Sequence, residues 1–236
     1  MLFGIDWQKV TKTLTYCRLA MMLHREWDTR LYQIAESQLG YFTTAEASEA
    51  GVHRTRLAQL AAHGDIERLS RGVYRLTRYP LSPLGQYMEA VLWPQVRRPG
   101  ARGVISHDSA LAIYGLSNVS PAKVHLTLPS VVRIRRAVPR QFVLHYTELL
   151  PHDVRAVEGV LVTTPMRTIR DVHAAHLGSA LVRQAIDDGR RMGQLTLDEA
   201  DQLTCELFDD AVDKERTLVP GTNAGGTRRH KGGRNR

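Results

Sequence analysis

The sequence predicts an α+β fold: an N-terminal winged helix-turn-helix followed by a mixed α/β domain. Three observations carry this. Helical periodicity over residues 31–63 is cut by Gly40, Gly51 and Gly64, giving short helices joined by tight turns. Two β-prone runs, Ile66–Leu69 and Val73–Leu76, flank a Ser70-Arg71-Gly72 turn and read as a hairpin. From Val104 onward, strand-like runs alternate with capped helical segments.

In order along the chain, residues 1–30 are mildly amphipathic, lack strong caps and read as an N-terminal extension. Leu31, Ile34, Ala35 and Leu39 recur at helical spacing, with Gly40 as the stop. Thr43, with Glu46 three residues on, forms a capping-box pattern for a short helix over Ala45–Ala50. A second helix, His53–His63, follows the Gly51 turn and buries Leu57, Leu60 and Ala61. The hairpin's inward face is ambiguous, because Ile66 and Leu69 do not share a period of two. These elements make a unit over 31–80. Tyr79–Pro83 resists helix, and 81–103 reads as a linker segment containing a possible helix, Leu84–Val96, and a basic loop, Arg97–Gly103.

The second unit, 104–210, starts with Ser106 as the cap of a helix that stops at Gly115. Val124–Leu128, Phe142–Tyr146 and Gly159–Thr163 are strand-like. Thr164 before Pro165 predicts the helix Met166–Ala175. Helices follow at Ser179–Asp188 and from Thr196, where Glu199 completes another capping box. Residues 211–236 read as a basic, disordered tail.

The 236 residues carry 32 basic and 24 acidic side chains, an excess of eight that favours a polyanionic partner. Five of the basic residues (Arg228, Arg229, Lys231, Arg234 and Arg236) lie in the last eleven positions, so the remainder carries an excess of only three. A second basic stretch, Arg133, Arg135, Arg136 and Arg140, alternates as one face of a strand or ribbon would. It reads equally as a solvated face or a binding patch. Cys17 and Cys205 are too few for a disulfide framework or a four-thiolate zinc site and read as buried thiols. The apolar run Leu19–Leu23 is far shorter than a membrane span. A reduced, cytoplasmic, soluble protein is the expectation.

The helix over 53–63 has the chemistry of a major-groove reader. At 100° per residue, with Leu57, Leu60 and Ala61 inward, Thr55, Arg56 and Gln59 point outward. His53 and Arg54 occupy the first turn, which reaches deepest into the groove. Arg71 at the hairpin tip, with Arg68 and Arg75 on its arms, suits the sugar-phosphate backbone. The alternatives are a winged helix that docks protein and a general transcriptional regulator of other genes.

Catalytic patterns are weak. A metal-dependent nuclease of the common type needs an acid-x-Lys tripeptide, and neither Asp-x-Lys nor Glu-x-Lys occurs. Phosphate-binding loops, dinucleotide fingerprints, Gly-x-Ser-x-Gly and His-Glu-x-x-His are also missing from the sequence. His173 and His176 are spaced to share an ion but lack an evident third ligand. Ser106, His107 and Asp108 are adjacent, which says nothing of a triad assembled in space. No catalytic residue, metal or cofactor is expected; a variant nuclease core is the third alternative.

Taken together, Phe42-Thr-Thr-Ala45, the Gly51 turn and Arg71-Gly-Val-Tyr74 resemble the N-terminal domain of AbiEi-type antitoxins. Ile105–Leu111, Tyr114-Gly-Leu116, Val124–Pro129 and Thr163–Asp171 are similar to the second half of that family. The resemblance spans about residues 31–210. It implies a transcriptional autorepressor that binds promoter DNA. It also implies an antitoxin, acting through the second domain against a co-encoded nucleotidyltransferase-like toxin of a type IV toxin–antitoxin system.

Overall fold

The structure, a computed structural model, describes residues 29–96 and 101–209. The expectations for residues 1–28, for Arg97 to Gly100 and for the basic tail lie outside the described residues. The chain is mixed α+β, with two sheets.

The N-terminal part begins with helix α1 (29–36). It continues with β1 (Tyr41–Thr43), α2 (Thr44–Glu49), α3 (Arg54–Ala62), β2 (Ile66–Ser70) and β3 (Val73–Leu76). The Thr43–Glu46 capping box is present: the Thr43 hydroxyl accepts from the Glu46 N–H, and the Glu46 carboxylate accepts from the Thr43 N–H at 2.8 Å. Gly51 turns the chain from α2 to α3 at φ +86°, a conformation costly for any residue with a side chain.

Strand β3 is central, antiparallel to both β1 and β2. The ambiguity of the hairpin has a structural cause, a register shift between Arg68 and Ser70. It lets Ile66 and Leu69 serve different cores. Ile66 joins Phe42, Tyr74, Leu76, Leu57 and Leu60 in the smaller cluster, whereas Leu69 packs with Tyr41 and Val73 against the larger one. The three-stranded sheet is therefore apolar on both faces.

What covers its second face is α4 (Gly85–Leu92), with a 3₁₀ turn over Trp93–Val96. Residues 81–103, expected to act as a linker, thus contain Met88, Val91 and Leu92, all 1% exposed or less. A side chain at Gly85 would sit 2.3 Å from the Tyr41 hydroxyl, a measure of how closely this helix approaches β1.

The second part comprises β4 (Val104–Ile105), α5 (His107–Tyr114), β5 (Val124–Leu128), β6 (Phe142–Tyr146), β7 (Val154–Val157) and β8 (Val160–Thr163). Three helices follow: α6 (Pro165–Ala174), α7 (Ser179–Arg191) and α8 (Leu197–Thr204). The five-stranded sheet has the order β6-β5-β4-β8-β7 and is mixed, with β5–β6 and β4–β8 parallel. The Thr196–Glu199 capping box forms as the spacing predicts. Ser106 is the N-cap residue of α5, but its hydroxyl does not cap the helix; it faces the interior and accepts from Thr127 at 2.8 Å. Cys205, expected to be buried, is exposed where α8 passes into a π-turn.

Candidate functional site

The first turn of α3 and the β2–β3 hairpin frame an open cleft of about 560 Å³, lined by Thr44, Arg54, Arg68, Arg71, Tyr74 and Val96. Arg54, Arg68 and Arg71 are exposed, and among the described residues none of them enters an ion pair. The hairpin tip is held firmly. The Thr44 N–H donates to the Gly72 carbonyl at 2.9 Å, and Gly72 (φ +84°) packs so closely that a Cβ would lie 2.4 Å from a Val96 methyl. Arg71 is thus presented from a fixed turn.

Two of the nearby acids are already engaged. Glu46 closes the capping box and receives Arg102 at 3.3 Å, and Glu67 pairs with Arg75 at 2.9 Å. That second pair changes the expectation for Arg75. Its side chain is 11% exposed and also reaches the Tyr79 carbonyl, so it ties the sheet together rather than lying open along the hairpin.

Helix α3 buries Leu57 and Leu60, with Ala61 packed beside them, and exposes His53, Thr55 and Gln59 as its periodicity predicts. Arg56 departs from the expectation. It is half-buried and flanks the helix on a second groove of about 380 Å³, floored by Leu31, Leu60 and Ile66 and shared with Arg78 and Asp65. The structure therefore brings Arg54, Arg68 and Arg71 together and leaves Arg56 outside that group.

The second basic stretch is no strand. Residues 129–141 form an irregular connection between β5 and β6, yet the alternation read from the sequence persists. Val132 is buried, Ile134 packs on the core and Arg136 is half-buried, while Arg133, Arg135 and Arg140 are exposed. Arg136 turns inward because it lies 4.0 Å over the Trp93 ring and donates to the Trp93 carbonyl.

Sequence reasoning missed a histidine cluster. His107, His125 and His145 come from α5, β5 and β6; the rings of His107 and His145 stack at 3.6 Å, and His125 Nδ1 lies 3.2 Å from His145 Nε2. Burial and the two neighbouring imidazoles hold His107 down to about 3, and burial lowers both of its partners as well. His107 also has φ +52°. No signal in the sequence joins residues so far apart, because their meeting depends on strand register. His173, by contrast, packs edge-on against Phe208 at 5.9 Å. Among the described residues no group of three side chains is placed to hold a metal ion.

The Thr163–Asp171 motif organises a buried ionic bridge. Arg167 donates to Asp153 and to Asp171, each at 2.8 Å, and the hydroxyls of Thr163 and Thr168 meet at 2.7 Å.

The three arginines of the cleft and α3 lie within one stretch of chain that a family model matches. Residues 30–77 match the family model described as transcriptional regulator, AbiEi antitoxin. That AbiEi-type stretch runs from α1 to the end of β3 and includes the capping box, α3 and the hairpin. A crystal structure of the RV2827C protein from Mycobacterium tuberculosis superposes with a TM-score of 0.46 at 16% identity, covering 75% of this chain and 71% of that one. No curated protein matches this chain as a relative. No helix among the described residues is long and apolar enough to cross a membrane.

Proposed function

We propose that α1–α3 with β2–β3 form a winged helix-turn-helix that binds double-stranded promoter DNA, and that the protein represses its own transcription. The observation that carries this reading is the convergence of Arg54, Arg68 and Arg71 on one open cleft at the start of α3, inside the AbiEi-type stretch. Three guanidinium groups that enter no ion pair among the described residues suit planar, bidentate phosphate contacts. Thr55 and Gln59 project from the exposed face of α3, where short polar side chains reach base edges, and His53 stands at its first turn. Arg68 and Arg71 set the register on the backbone. Occupying the promoter then excludes polymerase.

The family description also supports an antitoxin role, which we assign to the unit over 104–210, acting against a co-encoded nucleotidyltransferase-like toxin. The test has two arms. In a mobility-shift titration, the DNA upstream of the gene is compared with a scrambled duplex, and a promoter–reporter fusion is read with and without the protein. Gln59→Ala is expected to cost about 1–3 kcal/mol at one base pair and relax preference there, whereas Arg71→Ala weakens all duplexes alike. Equal binding of both duplexes by the wild type, or no change in reporter output, refutes autorepression. Co-expression with the neighbouring gene reads the antitoxin assignment directly, and unrelieved toxicity refutes it.

A further inference from the structure

We infer that the β5–β6 connection, residues 129–141, is a second phosphate-contacting element for the same DNA duplex that the arginine cleft engages. This rests on the DNA-binding reading above and extends it to residues outside the matched stretch.

Four features carry it. First, Val132 and Ile134 pack inward and Arg136 covers Trp93, so Arg133 and Arg135 are turned outward together, with Arg140 exposed farther along. Second, the connection itself carries four arginines and no acid, no Asp or Glu occurring between Asp108 and Glu148; the one carboxylate on it is that of Glu148, which accepts from the Ser130 N–H and hydroxyl at its start. Among the described residues Arg133, Arg135 and Arg140 enter no ion pair, and Arg133 instead lies 5.9 Å over the exposed ring of Tyr146. Third, the element is continuous with the cleft. Arg136 rests on Trp93, the first residue of a 3₁₀ turn whose last, Val96, lines the cleft and packs against Gly72 at the hairpin tip. Such a turn of four residues advances about 6 Å, so the anchor lies within one turn of the cleft wall.

Fourth, the charge is all arginine, whose planar guanidinium group suits successive backbone phosphates; these contacts hold a duplex without reading its sequence. A duplex seated on α3 and the hairpin then continues past Val96 onto Arg133 and Arg135, and the bound length of DNA exceeds what the first unit alone covers.

The test uses the full chain and fluorescence anisotropy with the upstream duplex and a scrambled duplex between 50 and 200 mM salt, comparing wild type with Arg133→Ala/Arg135→Ala. Each phosphate contact contributes about 0.9 to the slope of log affinity against log salt. The double variant is therefore expected to lose roughly 1.8 from the slope, which makes its affinity fall about tenfold less than wild type across that range. Its preference for the upstream duplex and its thermal midpoint stay as in wild type, since both side chains are exposed. An unchanged slope overturns the inference while leaving the cleft's role standing. A wild-type protein that binds neither duplex overturns both readings. Loss of binding to single-stranded RNA or to an acidic protein, with the DNA slope intact, overturns the DNA assignment for this element.

Discussion

The histidine cluster is expected to make the protein acid-labile in a way that one substitution isolates. His107 is 9% exposed and its folded-state pKa is about 3, against an ordinary value near 6.5. The folded chain therefore binds fewer protons than the unfolded chain, so stability is present above the ordinary value and is lost as pH falls below it. The loss grows until pH reaches the folded value near 3, and is constant below that. Between pH 7 and pH 5 the linkage relation gives a loss of about 2 kcal/mol from His107 alone. His125 and His145 are lowered too and act in the same direction. Asp108 opposes the effect at both, while Lys123 reinforces it at His125 and Arg167 at His107.

His107→Asn removes the titration while suiting the φ of +52°, because Asn adopts that region more readily than most residues. Urea unfolding of wild type and variant at pH 7 and pH 5 gives four free energies. The wild type is expected to lose about 2 kcal/mol more than the variant over that interval. Equal losses in the two proteins refute the assignment of His107 as a buried neutral imidazole.

Two further predictions follow from packing. Gly72→Ala places a Cβ against Val96 at a φ of +84°, and combined strain and overpacking are expected to cost about 2–4 kcal/mol, read as a lower thermal midpoint together with weaker DNA binding. An unaltered midpoint would show that the hairpin tip is not clamped. Arg167→Met leaves Asp153 and Asp171 without their shared cation in a half-closed site, and a loss of about 3–5 kcal/mol in urea unfolding at pH 7 is expected. Because burial raises the Asp171 pKa against the pull of Arg167, the deficit should shrink at low pH, where the Asp171 carboxyl is neutral.

Local signals in the sequence were sufficient wherever one or two turns decide the structure. The Thr43–Glu46 and Thr196–Glu199 boxes cap α2 and α8, and Gly40, Gly51, Gly64 and Gly115 end segments at positive φ. The alternation of Arg133 and Arg135 was legible even though no strand forms there. Features set by distant partners were not. Strand β1 is three residues long and exists because β3 pairs with it, and β7 likewise depends on β8. The inward turn of Arg136 needs Trp93, forty-three residues earlier, and the engagement of Arg75 needs Glu67 across the hairpin. Helical period alone places Arg56 outward, but the groove beside α3 is shaped by Leu31 and Ile66 from other elements.

The small sheet bears on how the two units work together. Its second face is not open: Tyr41, Leu69 and Val73 on that face pack into the larger core with α4. A fragment ending at residue 80 exposes those three side chains and removes Val96 from the hairpin tip. The element that presents Arg71 is therefore held from the 81–103 segment as much as from the first unit. The same turn, Trp93–Val96, that steadies the tip also receives Arg136. A change in how the 129–141 connection sits on Trp93 consequently acts on the cleft through four residues of 3₁₀ helix, with no long path through the core. On this geometry, the DNA contacts proposed for Arg133 and Arg135 would be mechanically linked to those proposed for the hairpin tip.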